Sequence, residues 1–180
     1  MLKTIFSLPA ELYKNRRLVL KLAKNDFKTK YAGSYLGIVW AFVQPIVTIL
    51  VYWFVFSVGF RSGTGDLGVP FVLYLVAGIV PWFFFQDALI GGTNSLLEYN
   101  YLVKKVVFNI SVLPVVKIIS AMFVHGFFVL FTIILYMCYG RFPDLYYIQI
   151  LYYSICTFLL VLGLVYATCA VVVFFRDLTQ

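Results

Sequence analysis

Four long stretches of the chain contain no charged residue and consist mainly of apolar side chains. A transmembrane helix needs about 20 such residues to cross a hydrocarbon core about 30 Å thick. The pattern therefore predicts four spans, at residues 36–60, 67–86, 118–140 and 149–173. These stretches do not alternate apolar and polar positions as lipid-facing β-strands do, which favours helices over a barrel. The predicted fold class is an all-α, polytopic helical membrane protein.

The overall composition agrees with this pattern. Hydrophobic residues make up 63% of the chain and charged residues only 12%, against about a quarter in ordinary soluble domains. A soluble globular domain is therefore excluded. Disorder is excluded as well, because an unfolded chain would leave far too much apolar surface in water.

The positive charges predict the orientation of the spans. Eight of the 14 Lys and Arg residues precede the first span, and four more share their side if the chain crosses at every span. Only Arg61 and Arg141 are left on the other side. By the positive-inside rule, this distribution of 12 to 2 predicts a cytoplasmic amino terminus in a plasma membrane. The net charge of +7 is explained by topology, so nucleic-acid binding is a poor alternative.

Residues 1–35 are predicted to contain an amphipathic helix on the inner membrane surface. Five basic residues recur at intervals of three and four along one face: Lys14, Arg17, Lys21, Lys24 and Lys28. Another face carries the apolar residues Leu12, Val19, Ala23 and Phe27. The alternative is a topology anchor with no further role.

The segment between spans two and three is predicted to hold a short cytoplasmic helix at residues 95–108. The small and polar residues 91–94 would end span two, and Ser95 with Glu98 would form a capping box at the new helix start. Asn100, Lys104 and Lys105 would face water or a partner. A soluble partner that pushed on this helix would move both spans, although such a segment can also be a simple connection. Pro114 is expected in the first turn of span three.

Residues for catalysis or metal binding are largely missing from the sequence. The single histidine, His125, lies within span three, and the three cysteines form no CxxC pair. His125 could act in gating or proton relay, or could simply bond a neighbouring helix. No nucleotide-binding motif is present, so energy for any transport would come from another chain or a gradient.

Two spans contain lines of small and polar residues. In span one they recur every three or four positions, with Gln44 beside them: Gly33, Gly37, Ala41, Pro45, Thr48 and Tyr52. In span four the line is Gly163, Ala167 and Ala170. Such lines usually indicate close helix packing. The other interpretation is a path for a polar substrate such as a glycan, with Gln44, Thr48, Tyr52, Trp82 and His125 as candidates.

Several motifs resemble those of the permeases of polysaccharide-exporting ABC transporters, which export O-antigen, capsule or teichoic acid. The run NDFKTKYAGSYLGIVW at residues 25–40, followed by Gln44-Pro45, resembles their amino-terminal signature. GIVPWFFF at 78–85, NSL at 94–96, LVKKVVF at 102–108 and FFRD at 174–177 follow in the same order.

The resemblance implies a type-2 exporter subunit without enzymatic activity of its own. Two copies would form the channel for a lipid-linked glycan and pair with two ATPase subunits, which would hold the ATP and Mg²⁺. Residues 95–108 would be the coupling helix, with Ser95, Glu98, Asn100, Lys104 and Lys105 near the ATPase. The amino-terminal helix would be the interface helix, whose basic face guides the lipid-diphosphate-linked glycan to the channel. Such permeases have six spans, so residues 1–180 are expected to be the amino-terminal part of one exporter domain.

Two alternatives remain open at this point. A four-span ion or small-solute channel lacks the expected charge ring or backbone filter. An integral membrane enzyme acting on lipids lacks positioned acids and bases in the membrane.

Overall fold

A computed structural model of the chain describes residues 12–60, 68–99 and 110–175, and within these ranges it contains helices and no strands. The helices are α1 (Arg16–Lys30), α2 (Trp40–Phe54), α3 (Phe71–Glu98), α4 (Leu113–Cys138) and α5 (Ile148–Val172). Short 3-10 turns precede α2, α4 and α5, and a π-turn at Val55–Gly59 extends α2. Four segments are long and apolar enough to cross a membrane: Gly37–Gly59, Phe71–Glu98, Ile110–Cys138 and Leu145–Val172. The predicted all-α, four-span fold is confirmed.

The start of span one differs from its predicted pattern. Gly33 and Gly37 have backbone φ angles of +94° and +53°, values that residues with a side chain rarely adopt. Both glycines therefore form turns before α2, and the predicted line of small residues begins only at Ala41. Pro114 lies in the first turn of α4 as predicted, where its missing amide proton costs little.

The predicted break at residues 91–94 is wrong, because α3 runs without interruption from Phe71 to Glu98. Gly91 and Gly92 lie inside this helix, and the glycine at position 92 allows close helix packing and does not form a turn. A Cβ atom on Gly92 would lie 2.6 Å from a methyl group of Val165 on α5, so only glycine allows this approach. One residue further, the Thr93 hydroxyl lies 2.7 Å from that of Thr168.

The chain divides into two compact units. Unit 2 consists of Tyr31–Phe84 and Phe123–Cys156. Its core is formed by Ile49 of α2, Val76 and Val80 of α3, and Phe128 of α4.

Unit 1 consists of Met1–Lys30, Phe85–Met122 and Thr157–Gln180. It therefore contains α1, the second half of α3, the first part of α4 and the second half of α5. On α5 the buried residues are Val161, Val165, Cys169 and Val172, whereas Gly163, Ala167 and Ala170 are exposed. The predicted line of small residues on α5 therefore lies on the exposed side of the helix and not on its buried side.

Candidate functional site

Helix α1 is amphipathic, with a buried face that includes an acid. Val19, Ala23 and Asp26 are its buried residues, and their spacing of four and three places them on one side of the helix. The five basic residues proposed for the interface helix, Lys14, Arg17, Lys21, Lys24 and Lys28, are all exposed. Leu12 and Phe27 of the predicted apolar face are half-buried.

Asp26 forms a buried ion pair with Lys117 of α4. The Lys117 ammonium nitrogen lies 2.7 Å from a carboxylate oxygen of Asp26, and the two side chains are 11% and 8% exposed. The same oxygen accepts a hydrogen bond of 2.6 Å from the Tyr99 hydroxyl. Because two charges are expensive to bury, the pair depends on these additional bonds.

Lys117 also contacts the end of α3. Its ammonium nitrogen lies 2.5 Å from a carboxylate oxygen of Glu98 and 5.2 Å from the centre of the Tyr99 ring, within the range of a cation–π interaction. A second ion pair joins Lys30 of α1 to Asp87 of α3, with side chains 41% and 40% exposed. Three helices therefore meet through opposite charges.

We call this cluster of Asp26, Lys30, Asp87, Glu98, Tyr99 and Lys117 the junction. It adjoins an open cleft of about 350 Å³ that is lined by residues of α1, α3 and α4. The buried pair joins α1 to α4, and Glu98 joins the end of α3 to α4.

The predicted coupling residues lie at or beyond the end of α3. Ser95 is fully buried, and its hydroxyl has no hydrogen-bond partner in the described part of the chain. Glu98 pairs with Lys117 instead of reaching back to cap a new helix. The predicted capping box is therefore wrong, because position 95 lies inside a helix that has not ended. Asn100, Lys104 and Lys105 lie outside the described residues.

The predicted path residues all belong to unit 2, and they differ in exposure. Gln44, Tyr52 and Trp82 are exposed, whereas Thr48 is half-buried and its hydroxyl donates to the Gln44 carbonyl oxygen at 3.0 Å within α2. His125 is buried. The structure therefore does not present all five side chains on one accessible surface.

His125 is held by neighbours from other helices. Its ring centre lies 4.7 Å from that of Phe84, and Nε2 lies 3.2 Å from the Ser154 hydroxyl oxygen. Since the Ser154 hydroxyl donates to the Ile150 carbonyl oxygen, Nε2 carries the proton and donates to Ser154. Nδ1 is buried without a partner among the described residues. These contacts join His125 of α4 to α3 and α5, which favours the interpretation that His125 bonds a neighbouring helix.

Sequence reasoning missed Asp26 and Lys117 as partners. A signal was present for Asp26, which is the only acid of α1 and follows Val19 and Ala23 at helical spacing. An acid at a position of the apolar face indicates a buried partner for its charge, such as a lysine from another helix.

Known proteins that are similar to this chain belong to the class that the motifs resemble. The chain is 30% identical over 168 residues to an O-antigen export system permease protein of Myxococcus xanthus, with 93% of this chain covered. The predicted resemblance to polysaccharide-exporting permeases is confirmed. Two O-antigen export permease proteins of Klebsiella pneumoniae are 27% identical over 71% of the chain and 28% identical over 54%. No protein-family model matches the chain.

The chain spans less than two thirds of the length of these curated permeases. The matched region covers 63% of the Myxococcus protein, and 48% and 36% of the two Klebsiella proteins.

Proposed function

We propose that the chain is a membrane-spanning permease subunit of an ATP-driven ABC exporter that moves a lipid-linked polysaccharide out of the cytoplasm across the bacterial plasma membrane. The observation that carries the proposal is the similarity to an O-antigen export permease over 93% of the chain. An O-antigen chain is therefore the first candidate cargo, with capsule and teichoic acid polymers as related ones.

The subunit would work without chemistry of its own. Two copies would enclose the path, and two ATPase subunits would bind ATP and Mg²⁺ and supply the energy. The amino terminus would be cytoplasmic, so the exposed basic face of α1 would lie against anionic lipid headgroups and would attract the diphosphate of the lipid-linked cargo.

The junction suggests how the energy would reach the spans. An ATPase pressing on the segment that follows Glu98 would displace the end of α3. Through Glu98 the force would pass to Lys117 of α4, and from Lys117 to Asp26 of α1.

The experiment is affinity purification of the intact protein from its native membrane, combined with a measurement of glycan export. We expect an ATP-hydrolysing subunit to co-purify. The double charge reversal K104E/K105E is expected to reduce both ATPase recovery and export. It would replace two positive charges by two negative charges at the predicted contact with the ATPase.

A matched control is R61E/R141E, which reverses two basic residues on the predicted opposite side. It is expected to leave ATPase recovery unchanged. The proposal fails if the wild-type protein recovers no ATPase, or if K104E/K105E alters neither recovery nor export.

A further inference from the structure

The cleft beside the junction has a specific charge pattern. Three carboxylates line it, from Asp26, Asp87 and Glu98, against the two ammonium groups of Lys30 and Lys117. Both lysines already pair with these acids. The carboxylates that line the cleft therefore outnumber its ammonium groups by one, and this balance favours a cationic group over an anionic one.

The depth of the cleft in the membrane follows from the length of α3. With 28 residues, this helix is about 42 Å long, which exceeds a hydrocarbon core of about 30 Å by about 12 Å. Its charged residues Asp87 and Glu98 occupy the end that follows the uncharged stretch. The cleft therefore lies in the headgroup layer.

The wall of the cleft offers polar and apolar contacts together. Ser120 is only 4% exposed and lines the cleft, so its hydroxyl is a polar group on an otherwise buried side chain. Ile90, half exposed, lines the same space. A ligand with a small polar head and an attached apolar chain would satisfy both residues.

We propose that this cleft binds the phosphoethanolamine headgroup of a membrane lipid. The primary ammonium would donate to the carboxylates of Asp87 and Glu98 and to the hydroxyl oxygen of Ser120, and its charge would neutralise the excess acid. The phosphate would lie at the rim near Lys30, and the first part of an acyl chain would pack on Ile90. This site is independent of the cargo path in the proposed function.

The chemistry separates this ligand from other common lipids. Phosphatidylcholine carries a bulkier trimethylammonium without an N–H donor, so it cannot donate a hydrogen bond to the carboxylates. Phosphatidylglycerol has no positive charge and would add a negative one. The volume of about 350 Å³ lies at the small end of ordinary ligand pockets.

The test is native mass spectrometry of the intact protein in detergent, titrated with phosphatidylethanolamine, phosphatidylcholine and phosphatidylglycerol of identical acyl chains. We expect phosphatidylethanolamine to bind at least about tenfold more tightly than the other two, as expected for a hydrogen bond between charged groups. E98Q and S120A are each expected to reduce this preference. Lys117 keeps its bond to Asp26 in E98Q, so the fold should survive, and circular dichroism checks it.

D144N is the matched control, because Asp144 is an exposed acid of unit 2 that accepts a bond from the Leu145 amide. It is expected to bind lipid as the wild type does. Equal binding of the three lipids overturns the proposal, as does an undiminished preference in the E98Q/S120A double variant. Displacement of the lipid by an equal concentration of soluble glycerophosphoethanolamine overturns the assignment to a lipid, because the acyl chain would then contribute nothing.

Discussion

At the scale of single residues, the main finding is that one acid on a basic helix is buried. Asp26 stands among lysines in the sequence, where an acid usually has a solvated side chain. Its partner Lys117 is 91 positions away, so neither local pattern nor spacing could pair them. The charges in the sequence predicted the ends of the spans, but the pairing depends on how α1 packs beside α4 in unit 1.

Removal of the Asp26 carboxylate is therefore expected to destabilise the protein strongly. D26A leaves Lys117 with Glu98 alone and breaks the bond from Tyr99, so we expect a loss of about 3 kcal/mol in the free energy of unfolding. D26N keeps an acceptor for Tyr99 and should lie between D26A and the wild type. Unfolding in mixed detergent measures these differences.

Asp87 provides the comparison within the same unit. It is also an aspartate paired with a lysine, but its side chain is 40% exposed, and exposed pairs contribute at most about 1 kcal/mol. D87A should therefore cost much less than D26A. Equal losses in the two variants would contradict the assignment of the Asp26–Lys117 pair as the buried link.

At the scale of helices, sequence patterns predicted which segments span the membrane better than where each helix ends. Asp87 follows the uncharged stretch 67–86, and Lys117 precedes the uncharged stretch 118–140. The helices extend beyond both charges, because α3 continues past Asp87 to Glu98 and span three begins before Lys117. The small and polar residues 91–94 predict a break in the helix, because glycine is common in turns. The close approach of Val165 explains them, and no pattern within α3 could reveal a neighbour from α5.

The two glycines provide a test of the continuous helix. G92A would place a Cβ atom 2.6 Å from a Val165 methyl group, and we expect it to cost about 1–3 kcal/mol of stability. G91A would meet Lys117 only at 3.9 Å and should stabilise the helix by up to about 1 kcal/mol. Thermal unfolding in detergent compares the variants.

A second substitution distinguishes a local clash from a general effect of alanine. V165A removes the two methyl groups that lie 2.6 and 2.7 Å from the new Cβ, so V165A/G92A should recover part of the loss. If G91A and G92A destabilise equally, residues 91–94 form a turn and the continuous α3 is incorrect.

At the scale of the whole molecule, the number of spans and the distribution of positive charges together predict how the chain is oriented in the membrane. Each crossing reverses the side on which the chain emerges, so an even number of spans returns it to its starting side. Four spans place 12 of 14 basic residues together, whereas one span fewer before Lys104 would divide them. Helix count and charge distribution thus support each other, and the excess of basic residues on one side predicts that this side is cytoplasmic.

This orientation predicts the labelling of single cysteines introduced into a variant that lacks Cys138, Cys156 and Cys169. We expect K14C to react with a membrane-impermeant maleimide only in inverted vesicles, because residue 14 would be cytoplasmic. D144C, in the connection between α4 and α5, should react only in intact spheroplasts, since three crossings separate it from residue 14. A membrane-permeant maleimide should label both variants in both preparations. Labelling of both positions from the same side would mean that an even number of crossings separates them, which the four-span topology does not allow.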